Sequence, residues 1–190
     1  MSHMPDRYEK HRQRIMARLV HGGSILDVGC AQQPNTYLRG ERVVGLDKSD
    51  MDIQSPYTEH IIGDITDVDN LLQGRQFDTV LMGELIEHLE RPYDVLRSLR
   101  NYIADKGTLI LSTPNPLGIP VVVAEYLRMR TFFYSRHHAF YFSPRWAWRL
   151  LERTGFQVVR TIGCGARIGP LWLPAPLSLS YIIVYVATPV

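Results

Sequence analysis

The chain has 190 residues, of which 45% are hydrophobic and 21% charged. This length and composition are typical of one globular domain and exclude a disordered chain or two domains of ordinary size. Two cysteines are too few for a disulfide framework and have no metal-ligand spacing, and the formal net charge is only +2. We expect residues 1–4 to be the remnant of a cloning tag and residues 5–190 to form one cytoplasmic domain without a signal peptide or a transmembrane segment.

Strands alternate with helices along the chain, which predicts an α/β fold with a mostly parallel sheet. In the first half the pattern predicts a helix over 5–20, strands over 24–28, 42–47, 59–62 and 77–82, and helices over 66–73 and 84–90. In the second half it predicts helices over 92–104, 121–131 and 144–154 (the last capped by Ser143), and strands over 108–112, 156–160 and 181–186. Residues 163–178 carry the Pro and Gly residues of an irregular connection, so the last two strands are predicted to be antiparallel neighbours.

Charge is divided unevenly along these elements. Residues 21–120 hold 8 Lys and Arg against 15 Asp and Glu, whereas residues 121–160 hold 7 Arg against 2 Glu. A basic segment beside an acidic one fits an anionic substrate, but solvated arginines on helix faces explain it more simply.

The segment Ile25-Leu26-Asp27-Val28-Gly29-Cys30-Ala31 is the most informative motif. Asp27 ends the first strand, and Asp47 ends the second one 20 residues later. In Rossmann-like units an acid at the tip of the second strand accepts hydrogen bonds from a ribose. A glycine after the first strand lets a ligand approach the backbone, because it has no Cβ. The motif therefore predicts an adenosine-containing cofactor.

With its other motifs the chain resembles the class I S-adenosylmethionine-dependent methyltransferases over residues 20–188. The resemblance is carried, in order, by Ile25–Ala31, Val44–Asp47, Gly63–Asp64, Phe77–Asp78 with Gly83–Leu89, Thr113–Pro116, and Phe142–Pro144 with Glu152–Phe156. It implies a Rossmann-like, seven-stranded, mostly parallel sheet with an antiparallel last strand and helices on both faces. It also implies S-adenosylmethionine as cofactor and S-adenosylhomocysteine as product.

The first loop departs from the family pattern. Further glycines usually follow Gly29, whereas this chain continues with Ala31-Gln32-Gln33-Pro34-Asn35. A dinucleotide needs such glycines around its pyrophosphate, but a sulfonium cofactor has no phosphate. Gln32, Gln33 and Asn35 could replace backbone donors with side-chain amides. The departure therefore argues against NAD and leaves S-adenosylmethionine as the expected cofactor.

Three acids receive roles from the resemblance. Asp27 would face the methionine ammonium, Asp47 would accept both ribose hydroxyls, and Asp64 would accept from the adenine amino group. The alternative for each is a turn or helix-cap role. The full predicted cofactor-binding set is Asp27, Gly29, Cys30, Ala31, Asp47, Lys48, Asp64, Ile65, Met82 and Gly83.

Candidate bases follow the fourth strand. Glu84, Glu87 and His88 have the spacing i, i+3, i+4, which predicts one helical face. We predict Glu84 and His88 as catalytic residues, together with His137 and His138 from the late basic segment, because an oxygen acceptor usually needs a general base. The alternative is favourable charge in a first helical turn for the glutamates and simple packing for His88.

The same stretch resembles the metal site of small-RNA 3′-terminal 2′-O-methyltransferases. There, two carboxylates and two imidazoles hold a divalent cation, and the corresponding ligands here would be Glu84, Glu87, His88 and His138. A similar stretch is common in other methyltransferases, including those resembling ubiquinone-biosynthesis O-methyltransferases, so we expect no metal. Nucleic acid is not the expected partner, because aromatic and basic residues interleave only at 134–138.

Residues 114–142 are predicted to form a lid over the substrate. The segment contains an apolar stretch over 121–127 and aromatic groups at 131–134 and 140–142, which could instead be core or form a homodimer or membrane-surface contact. We predict a methyltransferase for a small-molecule acceptor, acting by O-methylation of a sugar or polysaccharide precursor or of a secondary metabolite. The alternatives are a metal-assisted RNA 2′-O-methyltransferase and a non-catalytic cofactor-binding protein.

Overall fold

A computed structural model describes residues 6–50, 52, 54–128, 137–168 and 171–190. Within these residues the helices are α1 (Asp6–Leu19), α2 (Val68–Leu72), α3 (Pro92–Arg100), α4 (Ile119–Tyr126) and α5 (Pro144–Arg153). The strands are β1 (Ser24–Val28), β2 (Arg42–Asp47), β3 (Glu59–Ile62), β4 (Phe77–Gly83), β5 (Ile103–Pro114), β6 (Phe156–Gly163), β7 (Ala166–Ile168), β8 (Leu171–Leu173) and β9 (Ile182–Pro189).

Seven of these strands form one sheet in the order β3-β2-β1-β4-β5-β9-β6. The first five are parallel neighbours, and β9 runs antiparallel to both β5 and β6. The predicted seven-stranded Rossmann-like sheet and its antiparallel last strand are confirmed. Because the strand order reverses between β1 and β4, their carboxyl ends border a crevice at one edge of the sheet, where open α/β folds bind ligands.

The central strands carry buried apolar residues on both faces because both faces of the sheet are covered. In β1, Leu26 and Val28 join the core beneath α2, α3 and α5, while Ile25 joins the core on the opposite face. That second face is covered by Met16 of α1 and by Leu38 and Tyr57 from loops. Alternate residues of a buried parallel strand therefore fill two separate cores.

The predicted helix over 84–90 is wrong. A short 3₁₀ turn covers only Ile86–His88, and Glu84 has a φ of +54°, outside the right-handed helical region. The backbone N–H of Glu84 donates to the Ser112 carbonyl of β5, 3.0 Å away. This bond to the neighbouring strand directs the chain out of β4 in a left-handed conformation, so no α-helix begins there.

Smaller differences concern the second half of the chain. Strand β5 is longer than predicted and α3 is shorter, and a hairpin of β7 and β8 lies in the connection predicted to be irregular. Ser143 precedes α5, but its side chain makes no cap hydrogen bond. The end of the predicted helix over 121–131 and the aromatic stretch 131–134 lie outside the described residues. No helix in the described part of the chain has the length and apolar character of a membrane span.

Candidate active site

A cavity of about 1030 Å³ opens at the carboxyl edge of the sheet. It is lined by thirteen of the fifteen residues predicted for the cofactor, catalytic and metal sites: Asp27, Gly29, Cys30, Asp47, Lys48, Asp64, Ile65, Gly83, Glu84, Glu87, His88, His137 and His138. Ala31 does not, and Met82 is fully buried in the core. The fold thus gathers side chains that are far apart in the sequence around one space.

Gly29 forms the turn that leaves β1 and borders this cavity. Its φ is +76°, and its N–H donates to the Leu46 carbonyl at 2.8 Å. A Cβ at this position would lie 3.1 Å from the Leu85 side chain. Both the left-handed backbone and the close neighbour favour glycine, which keeps the backbone open to a ligand.

Asp47 connects the loops after β1 and β2. Its Oδ2 accepts the Ala31 N–H at 2.9 Å, and its Oδ1 accepts the Ser49 N–H at 2.8 Å. Asp64 has a similar local role, because its Oδ1 accepts the N–H and the hydroxyl of Thr66. These bonds lower the pKa of Asp64 and keep it ionised. Each carboxylate oxygen can accept a second bond, so these turn roles are compatible with binding a ribose or an adenine.

Asp27 is buried at the end of β1 and 7% exposed. The Tyr57 hydroxyl donates to its Oδ2 at 2.5 Å. Burial raises the pKa of Asp27 to about 6, while the Tyr57 bond and the Arg12 guanidinium oppose this rise. The carboxylate is therefore ionised near neutral pH and faces a cavity in which a ligand ammonium would stabilise it further.

Arg12 of α1 is a cavity residue that sequence reasoning missed. It is 5% exposed, and its guanidinium donates to the Gln33 Oε1 at 3.2 Å and to the Ser112 hydroxyl at 3.4 Å. A Cβ on Gly83 would overlap its Nη1 atom, so the glycine makes room for the guanidinium. Arginines in an amphipathic helix usually lie on the solvated face, and no local signal marked this one as buried.

The unusual loop over 32–35 holds α1 against the sheet. The Gln33 Nε2 donates to Glu9 at 2.7 Å, and the Asn35 Nδ2 donates to the Gln13 carbonyl at 3.1 Å. In return, the Gln13 Nε2 donates to the Gln33 carbonyl at 3.1 Å. Gln33 and Asn35 line the cavity, but their amide groups bond to α1.

Glu84 and Glu87 both place a carboxyl group in the cavity wall. They do so from a turn, and not from the shared face of a helix that the sequence predicted. Glu87 is 1% exposed, and its Oε2 accepts the Thr113 hydroxyl at 3.2 Å. The Oε1 atoms of both residues are buried and have no hydrogen-bond partner among the residues that the structure describes. Burial raises the pKa of Glu84 to about 7 against the pull of Arg12, and burial and the Glu84 charge raise the pKa of Glu87.

The late histidines dock on the turn that contains Glu87. The Glu87 carbonyl accepts the N–H groups of Ala139 and Phe140 at 2.7 and 3.1 Å, and the His88 Nδ1 lies 3.0 Å from the His137 carbonyl. The rings of His88 and His138 meet edge to face with centroids 4.7 Å apart. Burial and the neighbouring His88 lower the pKa of His138 to about 4, so this ring is neutral at pH 7.

Glu87, His88 and His138 could together hold a metal ion. Within the described residues, one ligand atom of each lies within 4.8 Å of the others. A carboxylate and two neutral imidazoles are suitable ligands for a divalent transition metal. Glu84, the fourth residue of the predicted alternative, is not part of this group.

The cavity wall is acidic. Its acidic side chains are Glu9, Asp27, Asp47, Asp64, Glu84, Glu87 and Glu90 against the basic Arg12, Lys48 and Arg91, and acids remain in excess when Glu84 and Glu87 are protonated. The described arginines of the basic segment 121–160 do not line it, and neither does α4. From the predicted lid, Pro114, His137 and His138 are the described residues that reach the cavity, while the valines Val122 and Val123 of α4 are exposed.

Comparisons with known proteins agree with this fold and site. A family model described as a methyltransferase domain matches residues 1–161, so the chain belongs to this methyltransferase family. The topology and the cavity at the carboxyl edge are those of its class I members. Family membership, fold and sequence motifs thus agree in indicating an S-adenosylmethionine-dependent methyltransferase.

Relatives and solved structures are distant in sequence. The ubiquinone biosynthesis O-methyltransferase of Rickettsia bellii (strain OSU 85-389) is 27% identical over 147 residues, which cover 70% of this chain and 61% of that protein. A methyltransferase from Archaeoglobus fulgidus has a TM-score of 0.70 at 15% identity, covering 94% of this chain and 93% of its own. Magnesium protoporphyrin IX methyltransferase of Synechocystis PCC 6803, solved with bound S-adenosylhomocysteine, has a TM-score of 0.65 at 16% identity, covering 100% and 90%. These structures share the fold.

Proposed function

We propose that this methyltransferase transfers the methyl group to a hydroxyl oxygen of a small-molecule acceptor, with Glu84 as the general base. The observation that carries the proposal is the Glu84 carboxyl group, which lines the cavity with a buried Oε1 that receives no hydrogen bond from the described residues. Its pKa of about 7 matches the requirement that a base be substantially ionised near neutral pH and still able to take a proton.

Residues around the first two strands would hold the cofactor. Asp27 is a buried carboxylate suited to an ammonium, Asp47 offers two oxygens to a vicinal diol, and Gly29 leaves the backbone open between them. Arg12 is the buried cation nearest this end and suits the cofactor's carboxylate. When bound, S-adenosylmethionine supplies a methyl group that is already activated on a sulfonium sulfur.

With the methyl group activated, the protein needs to align the acceptor and remove its proton. Glu84 would accept the hydroxyl proton, and Thr113 would hold Glu87 in place through its hydrogen bond. His138, which is neutral at pH 7, and His88 also line the cavity and would shield the acceptor from water.

Two observations bear on the acceptor. The acidic wall favours a neutral or cationic molecule over the anionic one suggested by the basic segment. The relatives' names refer to O-methylation in ubiquinone biosynthesis, which supports a hydroxyl acceptor and favours a quinone precursor over the sugar or polysaccharide precursor expected from the sequence.

The test combines cofactor binding with an acceptor panel. Wild-type protein is incubated with S-adenosylmethionine and phenolic, sugar and amine acceptors, and each product is examined by mass spectrometry for an added CH₂. We expect phenols to be methylated, and Glu84→Gln to lower kcat by about 10²–10⁴-fold while S-adenosylhomocysteine still binds. Glu90→Gln, which changes an exposed acid of the same cavity, is the matched control. Methylation of amines alone would contradict O-methylation, and full activity of Glu84→Gln would exclude this residue as the base.

A second candidate is metal-assisted methyl transfer, favoured by the Glu87–His88–His138 group. A bound cation would lower the pKa of a coordinated acceptor hydroxyl and reduce the need for a base. The acidic cavity does not suit RNA phosphates, so this candidate also uses a small acceptor. It predicts that a chelator abolishes activity, that Mn²⁺ or Mg²⁺ restores it, and that His138→Ala removes the metal response. Equal rates with and without chelator would exclude it, and S-adenosylhomocysteine binding without any turnover would support a non-catalytic binder.

A further inference from the structure

Tyr57 approaches the wall of the cofactor pocket from a loop on the far side of β2 and contacts Asp27, which lines the pocket. It lies in the connection between β2 and β3 and is 5% exposed. Its ring passes over Gly45 of β2, the register partner of Asp27 on β1. A Cβ on Gly45 would lie 3.3 Å from Tyr57 Cδ1 and 2.8 Å from Cys30 Sγ. The missing side chain at Gly45 therefore leaves the space through which the phenol reaches the neighbouring strand.

The Tyr57 hydroxyl connects three parts of the molecule. It donates to the Asp27 Oδ2 at 2.5 Å and accepts the Asn35 N–H at 2.8 Å. The side chain of Asn35 in turn donates to the Gln13 carbonyl of α1. Tyr57 itself is not among the described residues that line the cavity. Any influence of Tyr57 on a ligand must therefore pass through Asp27 or Asn35.

We propose that Tyr57 is a positioning residue for cofactor binding, which holds one oxygen of Asp27 so that the carboxylate is fixed and ionised for the cofactor's ammonium. The same hydroxyl joins the loop over 32–35 to β1 and so replaces the glycine-rich turn that this chain lacks. This proposal rests on the proposed function in one respect, that Asp27 binds the ammonium group of the cofactor. It does not depend on the identity of the acceptor or on the role of Glu84.

The hydrogen bond has a consequence that simple packing would not have. A donor to the charged form of a carboxyl group favours ionisation. The groups that face Asp27 are Arg12 from α1, Asp47 at the end of β2, Cys30 and the Asn35 N–H from the first loop, and Tyr57. Arg12, Asn35 and Tyr57 favour the ionised form, whereas Asp47 and burial oppose it. Removal of the hydroxyl should therefore let Asp27 take up its proton at a higher pH.

The experiment measures the Kd of S-adenosylhomocysteine by calorimetry between pH 5.5 and 8.5 for the wild type and Tyr57→Phe. The Kd of the variant is divided by the Kd of the wild type at each pH. This ratio removes the pH dependence that comes from the ligand's own ionisable groups, because both proteins bind the same ligand. We expect this ratio to rise from near unity at pH 8.5 to about tenfold at pH 5.5, because the Asp27 pKa increases by about one unit. The matched control is Tyr102→Phe, which removes another phenol–carboxylate bond, from Tyr102 to Asp69 at 2.7 Å, outside the cavity. Its ratio should stay near unity at every pH.

A ratio for Tyr57→Phe that is the same at all pH values would overturn the proposal, because lost packing does not depend on pH. If Tyr57→Phe does not fold, Gly45→Ala is the second variant, because its Cβ would press on Tyr57 Cδ1 at 3.3 Å as well as on Cys30 Sγ at 2.8 Å. It is compared with Cys30→Ala: a pH trend in Gly45→Ala that Cys30→Ala lacks supports the proposal, and a flat ratio in Gly45→Ala overturns it. Failure of the wild type to bind S-adenosylhomocysteine at any pH would instead overturn the cofactor role of Asp27. Failure of Glu84→Gln to lower kcat affects the proposed base alone.

Discussion

Asp27, Glu84 and Glu87 are carboxyl groups whose pKa values are raised by burial in the cavity wall, and the positive charge of Arg12 opposes the rise at each of them. Such groups keep a proton in the folded protein at a pH where the unfolded chain releases it. Folding is therefore linked to proton uptake by these carboxyl groups. As pH rises, they lower the free energy of unfolding of the ligand-free protein.

Glu87 is the clearest residue in which to test this linkage. Above about pH 4.3 the unfolded chain loses the Glu87 proton while the folded chain retains it, so the stability of the wild type falls as pH rises. Glu87→Gln removes this penalty and still accepts the Thr113 hydroxyl. We expect the variant to melt about 3–6 °C above the wild type at pH 8 in the presence of a chelator, with the difference shrinking towards pH 4.5. Differential scanning calorimetry measures it, and Glu90→Gln should show no pH-dependent difference.

Asp47 is the residue whose function the sequence spacing predicted most directly. Asp47→Asn removes the charge and one acceptor oxygen, and we expect the Kd of S-adenosylhomocysteine to rise about 10–100-fold, because bonds to charged groups contribute about 1.5–3 kcal/mol. Asp78→Asn is the control, since Asp78 also accepts two backbone N–H groups, from Gly23 and Ser24, but does not line the cavity. It should lower the melting temperature without changing the Kd. An unchanged Kd in Asp47→Asn would remove this residue from the cofactor site.

Among elements, the turn after β1 shows how a backbone conformation serves a binding site. Gly29 and Gly74 have nearly the same φ, +76° and +78°, but a Cβ at Gly74 would meet no atom within 4 Å. An alanine at either position would therefore have to adopt a left-handed backbone conformation, at a cost of about 1–2 kcal/mol. The two substitutions, Gly29→Ala and Gly74→Ala, differ only in what surrounds the new Cβ. We expect both variants to melt at lower temperature and only Gly29→Ala to weaken S-adenosylhomocysteine binding, by tenfold or more in a calorimetric titration. Equal affinities would show that the Gly29 turn does not contact the cofactor.

Sequence periodicity predicted correctly those elements whose pattern of apolar residues follows their burial in the fold. The buried parallel strands are short apolar runs bounded by Gly, Asp or Pro, and their existence and order follow from that pattern. The helix over 84–90 was predicted wrongly because the i, i+3, i+4 spacing of Glu84, Glu87 and His88 is equally satisfied by a turn that points these side chains into a cavity. The hydrogen bond from the Glu84 N–H to the Ser112 carbonyl favours the turn over the helix, and Ser112 belongs to a strand almost thirty residues away.

The candidate site, like the fold, was predicted in part from the sequence. Residues at the ends of β1, β2 and β4 were predicted to lie together because the carboxyl edge of a parallel sheet collects them, and they line one cavity. Arg12 and Tyr57 were missed, since Arg12 lines the cavity and Tyr57 contacts Asp27 by lying against a glycine of a strand, Gly83 or Gly45, that leaves room for the side chain. Contacts of this kind depend on which strands are adjacent, and a single sequence shows this only after the topology is known.

At the scale of the whole molecule, the cofactor site is closed by a helix that precedes the sheet in the chain. Neither the connection from β1 to β2 nor that from β2 to β3 contains a helix in its described residues, and α1 covers that face together with Leu38 and Tyr57. Hydrogen bonds run from Gln13 of α1 through Asn35 to Tyr57 and Asp27. A ligand that orders Asp27 should therefore stabilise α1 as well, although the described side chains of α1 that line the cavity are Glu9, Arg12, Gln13 and Met16 alone.

Hydrogen exchange detects this coupling directly. Ligand binding raises the free energy of the local openings that expose amides, so protection increases in each segment that opens together with the site. We expect saturating S-adenosylhomocysteine to slow exchange at least tenfold in peptides covering α1 and residues 31–38, with little change in α5 and β6, which lie at the other end of the sheet. In Tyr57→Phe the protection of α1 should decrease while that of residues 47–49 persists, because the missing hydroxyl interrupts the path between Asp27 and Asn35. Protection confined to residues 47–49 and 64–66 in the wild type would mean that α1 covers the pocket without responding to its occupant.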